Sequence, residues 1–182
     1  MILGIDFSLT ATGVCAIEDS AAECITIRSK KEDGWWEFPS RVENIACAVD
    51  LWRNPLGLPG PAQLVIETPA FAAKSASLDR MFGGWWMFVA TIMRDCLYEP
   101  PLLVTPSQVK KFATGKGNAG KDEVMLAVSR RYPAVEVTDN NQTDALVLAA
   151  IGAAVMGEPF SDSLTKGQQE VVEAVRLRGE VS

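Results

Sequence analysis

Asp6 sits inside the run Ile2-Leu3-Gly4-Ile5-Asp6-Phe7, a carboxylate in the middle of an otherwise apolar strand-like segment. Taking such a charge out of water is costly unless it is paired, hydrogen-bonded or bound to a cation. The structural alternative is an exposed aspartate on the polar face of an edge strand. Glu67 repeats the pattern after Leu64-Val65-Ile66, and the C-terminal ends of strands are where open α/β sheets place their sites. Asp144 precedes an apolar run over 145–151 and, taken alone, reads as a residue that caps a helix N-terminus. Two strands and a helix each delivering an acid match a two-cation phosphodiester site. Such a site needs hard oxygen ligands and open positions for water and phosphate.

The chain has no histidine, which removes the commonest general base and the commonest transition-metal ligand. Catalysis must then run on carboxylates, lysine, hydroxyls, thiols or bound cations. Cys15, Cys24, Cys47 and Cys96 form no CxxC pair and read as buried free thiols. A formal net charge of −6 argues against a nucleic-acid partner, but charge is unevenly placed. Residues 107–121 carry Lys110, Lys111, Lys116 and Lys121 and no acid, a local basic patch or else a solvated helix-loop-helix. Within it, 115–121 fits the start of a Walker A loop. The next residue is Asp122 instead of Ser or Thr, and a helix precedes the loop where a strand should, so no nucleotide cofactor is expected.

These residues need a framework. Short apolar or alternating segments at 2–7, 12–17 and 24–28, separated by turn formers, predict three antiparallel strands. Helical spacing over 36–52 is followed by a Pro/Gly-rich stretch at 54–61. Strands are then expected at 63–67 and 102–105, and helices at 78–97, 107–113, 121–131, 142–156 and 164–178. A meander followed by alternating helices and strands implies an α/β fold with a mixed sheet and helices on both faces. At 182 residues one compact domain is the expectation, placed at 1–158 with an amphipathic helical tail at 159–182. No apolar run approaches the roughly 20 residues that span a bilayer, and the start lacks a basic n-region. A soluble, cytoplasmic protein with no membrane partner is expected.

The run from Leu3 to Gly13 (LGIDFSLTATG), with Val65-Ile66-Glu67 and Asn141-Gln142-Thr143-Asp144-Ala145-Leu146, resembles the RuvC-like Holliday junction resolvases of the ribonuclease H-like superfamily, particularly those of bacteriophages. The likeness covers roughly residues 1–156, with the motifs in the family's order. It implies a five-stranded ribonuclease H-like sheet, a homodimer, and cytoplasmic action on branched DNA (four-way junctions, forks or flaps), in a host cell if phage-encoded. It also implies two Mg²⁺ per site, replaceable by Mn²⁺, held by Asp6, Glu67 and Asp144. Lys110 and Lys121 fall where family lysines approach the scissile phosphate, Lys121 being the better placed to stabilise the transition state. Phe71 occupies the loop that carries an aromatic wedge, with Lys74 beside it, and Lys111 and Lys116 extend the DNA-binding surface.

One position departs from the pattern. An acid or histidine is expected three residues before the last aspartate, and here it is Asn141. Asn141 or Asp139 could supply this fourth ligand, Asp139 only if the helix starts late enough for the loop to fold back. The expected reaction is structure-selective hydrolysis of DNA phosphodiesters. Two other readings stay open: an actin-like ATPase or sugar-kinase fragment, and a junction-binding protein with a weakened site.

Overall fold

The computed structural model describes residues 1–31, 34–53, 63–70, 78–95, 100–161 and 163–180. β1 (Ile2–Asp6), β2 (Ala11–Glu18) and β3 (Ala21–Arg28) form the expected meander, and β4 (Gln63–Glu67) and β5 (Leu102–Val104) add in parallel to give the order β3-β2-β1-β4-β5. This is the five-stranded mixed sheet anticipated from the sequence. β3 begins at Ala21 because Asp19 and Ser20 both take positive φ, 48° and 67°, as a tight two-residue hairpin turn requires. The strands therefore pair without a break from Glu18↔Ala21 to Ala11↔Arg28. β1 is central, so Asp6 does not lie on an edge strand.

α1 (Phe38–Arg53) follows a 3-10 turn at Trp35–Glu37 and packs with α2 (Leu78–Asp95) on one face of the sheet, around Leu3, Ile5, Val14, Leu64 and Ile66. α3 (Pro106–Thr114), α4 (Lys121–Arg131), α5 (Asn140–Val155) and α6 (Lys166–Glu180) gather on the other face, around Cys15, Ile17 and Val65. α5 is apolar around its whole circumference because it lies between the sheet and α3, α4 and α6. The stretch at 54–61 lies outside the described residues, as do residues 96–97 of the 78–97 helix. α6 buries Val171, Val172 and Val175 in the core beneath α5, and its Gln168 donates to the Phe112 carbonyl at 3.0 Å.

Two glycines set how closely α5 approaches the sheet. A Cβ at Gly4 would come within 3.0 Å of the backbone of Ala145 and Ala149, and one at Gly13 would collide with the backbone of Asn141. Only a hydrogen fits there. The glycines thus lower the N-terminal half of α5, which carries Asp144, onto β1 and β2.

Candidate active site

The pleat of the sheet selects which side chains meet. Side chains alternate between faces along a strand, and Leu3 and Ile5 point toward α1 and α2. Ile2, Gly4 and Asp6 therefore face α5, and on β4 so do Val65 and Glu67. β1 and β4 pair in parallel with Ile5 opposite Ile66, so Asp6 and Glu67 stand side by side at the C-terminal ends of neighbouring strands. Asp144, in the second turn of α5, completes the set from above.

The electrostatics record this proximity. Burial and the nearby charges of Asp144 and Asp139 raise the Asp6 carboxyl from its ordinary 3.8 to about 7, against the pull of Lys121. Burial, Asp6 and Asp144 raise Glu67 to about 8, opposed by Lys110 and Lys121. Burial also raises Asp144, again opposed by Lys121 and Lys110. Carboxylates that repel one another in a desolvated pocket either hold protons or gather cations. The donor set, all oxygen and without sulfur or imidazole, fits a hard divalent ion of the magnesium class. Among the described residues no three acids or thiols converge tightly enough to cage one ion by themselves. A bound cation would draw the carboxylates inward.

The lysines divide by partner. Lys111 pairs with Glu170 of α6 at 2.7 Å and Lys116 with Glu123 at 3.0 Å. Lys110 and Lys121 make no ion pair among the described residues and turn their fields on the acids instead. Lys121 is the first residue of α4, where a cation opposes the helix dipole. That local cost is recovered from the three acids it faces. The Walker-like loop begins at Gly115, the left-handed cap of α3 with φ 84°, so it follows a helix. Phe71 and Lys74 lie outside the described residues.

Asp139 and Asn141 take different places. α5 starts at Asn140, two residues before the sequence-based start, because Asp139 is its N-cap and its Oδ1 accepts from the Gln142 N–H at 2.9 Å. Its Oδ2 accepts from Thr26 Oγ1 at 2.7 Å and faces Arg28 at 3.5 Å. Burial opposes ionisation, but these bonds and the Asn141 N–H hold the carboxyl below its ordinary range. Asp144 itself does not cap the helix. Asn141, one turn before Asp144, shares its face.

A cleft of about 660 Å³ opens from Asp6 and Glu67 toward α1 and α2, and neither Lys110 nor Lys121 is among its lining residues. Lys31, Arg41, Arg80 and Trp85 line it, and the sequence reading assigned none of them to the site. The Trp85 indole donates to the Glu67 carbonyl at 2.8 Å, anchoring the strand end that presents the acid. Arg41 donates to the Leu9 carbonyl and, through Nε, to Ser29 Oγ at 2.9 Å, holding the β1–β2 turn that follows Asp6. A Trp at an internal position of an apolar helix, and an Arg beside Val42 in α1, were the available signals. Neither reveals its partner from spacing alone.

No family model matches the chain. Over 156 residues it is 29% identical to the crossover junction endodeoxyribonuclease RuvC of Salinibacter ruber, covering 82% of each protein. Its fold is similar to that of Thermus thermophilus RuvC, with a TM-score of 0.60 and 22% identity over 86% of this chain and 96% of that one. T. thermophilus RuvC in complex with Holliday junction substrate aligns with a TM-score of 0.59 and 21% identity over the same shares.

Proposed function

We propose, starting from a chain that is RuvC-like in sequence and has the RuvC form of the ribonuclease H-like fold, that this protein is a structure-selective endonuclease that resolves Holliday junctions or related branched DNA. The observation that carries it is the convergence of Asp6, Glu67 and Asp144 under the fields of Lys110 and Lys121. Asp6, Glu67 and Asp144 would hold two Mg²⁺, with the Asn141 carbonyl as the neutral fourth ligand, since both Asp139 oxygens are already engaged. The chemistry supplied by the bound ions is activation of water for in-line attack and neutralisation of charge on the leaving 3′ oxygen. Lys121 adds a fixed positive charge facing the phosphate, and the glycine-seated α5 keeps Asp144 in place against β1.

Lys110, Lys111, Lys116 and Lys121 would bind backbone phosphates, and the exposed rings of Trp35 and Trp36, 79% and 65% accessible, offer stacking faces to unpaired bases. Phe71 and Lys74 are retained as the wedge and its basic neighbour. The nuclease unit spans 1–158, and 159–182 braces α3 through Gln168. A homodimer would set two such sites on opposite strands of one junction. No helix among the described residues is long and apolar enough to cross a membrane, and we place the protein in the cytoplasm, whether its gene is cellular or phage-borne.

The test is cleavage of a panel of four-way junctions, forks, flaps and linear duplexes with Mg²⁺, with nucleotide hydrolysis as control. Paired nicks in a branched substrate are expected. Nucleotide turnover without nicking would favour the kinase-like reading, and junction binding without nicking a decayed site.

The carboxylates also give the metal-free protein a distinct pH response. Asp6 and Glu67 have folded-state values above their unfolded ones, so their contribution is fully present below about pH 4 and is lost as pH rises through about 7 to 8. Thermal denaturation with EDTA should show Tm falling across that window. Because cations bind the native state alone, Mg²⁺ should raise Tm at pH 8 by roughly 5–10 °C, a few kcal/mol for a chain of this size. At pH 5 it should do little. Equal stabilisation at both pH values would place the ion elsewhere.

The fourth ligand can be tested through the ion. Asn141→Asp should lower the Mg²⁺ concentration for half-maximal cleavage roughly 3- to 10-fold, because a carboxylate attracts a cation more strongly than an amide carbonyl. Asp139→Asn keeps a capping oxygen and should leave the midpoint within about twofold. The opposite pattern in the two titrations would assign the ligand to Asp139.

A further inference from the structure

The face of the sheet that carries the acids also carries a pair of cysteines. Cys15 on β2 and Cys24 on β3 are directly opposite in the antiparallel register. Both point toward α5, and their sulfur atoms are 2.8 Å apart with the Cys24 thiol directed at Cys15. Cys15 is fully buried and Cys24 partly accessible. Opposed residues in an antiparallel pair have Cα atoms about 4.5–5.5 Å apart, inside the range that a disulfide spans. The backbone therefore needs no rearrangement to accept the bond.

We propose that Cys15 and Cys24 are a reversible redox pair that closes into a cross-strand disulfide under peroxide, strapping the edge strand β3 to β2. The steps balance as a two-electron oxidation. The Cys24 thiolate attacks one oxygen of hydrogen peroxide, the O–O bond breaks, and Cys24 becomes a sulfenic acid as the first water forms. The Cys15 sulfur then attacks the Cys24 sulfur, the S–O bond breaks, and the departing hydroxide takes the Cys15 proton as the second water. Two thiols and one peroxide become one disulfide and two waters, and an external thiol reverses the bond by exchange.

Attack starts at Cys24 because it is the sulfur that solvent reaches. Cys15 acts second: its neighbour Cys24 and burial push its thiol pKa up, so it is a poor first nucleophile but a resolving partner already in contact.

The location gives the strap a consequence. Among the described residues β3 is an edge strand, paired with β2 alone, and its Thr26 and Arg28 hold Asp139, the cap of the helix that presents Asp144. Cys24 lies two residues from Thr26 on the same face. A bond at Cys24 suppresses fraying of β3 and so steadies the first turn of α5. Cys47, exposed on α1, is the internal comparison for unassisted thiol oxidation.

The test uses the full chain, reduced and then treated with graded hydrogen peroxide. Mapping under non-reducing conditions should recover a Cys15–Cys24 linked peptide with a loss of 2 Da, at peroxide levels that leave Cys47 unmodified, and dithiothreitol should reverse it. Tm should rise by on the order of 5 °C, as closing a short loop implies. Amide exchange in β3 and the first turn of α5 should slow. Cys24→Ser, a near-isosteric change at a partly accessible position, should fold and show none of these responses. Overoxidation of Cys24 without a bridge would overturn the proposal. So would a bridge that left exchange in β3 and α5 unchanged.

Discussion

Replacing Asp6 by asparagine is expected to lower the rate of junction cleavage by at least about 10³-fold, roughly 4 kcal/mol in the barrier, while leaving junction affinity within a few-fold. The argument has two independent parts. The substitution removes a charge from the set that would gather the cations, and it leaves every lysine proposed to bind phosphate in place, Lys110 and Lys111 on α3, Lys116 in the loop after it and Lys121 on α4. It also removes a carboxyl whose value stands near 7 because burial and Asp144 disfavour its ionisation. The metal-free variant should therefore be more stable than the parent at pH 8, by several degrees in Tm, and should lose most of its stabilisation by Mg²⁺. Glu67→Gln should behave alike, since Glu67 is raised further, to about 8, by the same causes. Single-turnover cleavage, junction affinity in Ca²⁺ and thermal denaturation decide the matter. A variant that cuts at near-normal rate, or one that loses activity only because it has lost stability, would remove the proposed site.

Lys121→Ala is expected to slow cleavage by roughly 10²-fold with a change in junction affinity of threefold or less. A cation aimed at charge that develops during the reaction acts chiefly in the transition state. Its placement supports that role over general phosphate binding, since it lowers all three acids and makes no ion pair among the described residues. Lys111→Ala is the matched control: its ammonium is already bonded to Glu170, and the change should weaken binding modestly without a selective effect on rate. Lys121→Arg should recover part of the rate, as the charge persists with altered reach. Equal losses in rate and affinity for Lys121→Ala would reduce it to an ordinary phosphate contact. The salt dependence of binding would then show one contact fewer.

The sequence alone determined the strands, because alternation of apolar residues with a period of two reports a face buried on a core wherever that core is. It determined Asp6 and Glu67 as candidates for a related reason: a charge within or at the end of an apolar strand conflicts with its surroundings, and the conflict is visible in the residue types alone. It also determined the lysine cluster, since charge composition is local. It misjudged the start of α5 by two residues, because Asp139, Asn140 and Asn141 are all acceptable at a helix N-terminus. The choice was made by Thr26 and Arg28, more than a hundred positions away in sequence, whose contacts with Asp139 exist only once β3 is paired.

Tertiary structure alone decided which lysines face the acids and which are neutralised by Glu170 and Glu123, because like charges in one segment become inequivalent only when partners arrive from other elements. It alone showed Trp85 holding Glu67 and Arg41 holding the β1–β2 turn, and it put Cys15 against Cys24. Register is a property of pairing between strands, and no spacing within a single strand contains it. Gly4 and Gly13 join the two levels. The sequence shows glycines inside strands, where they weaken local structure, and only the seating of α5 on them shows why a hydrogen is required.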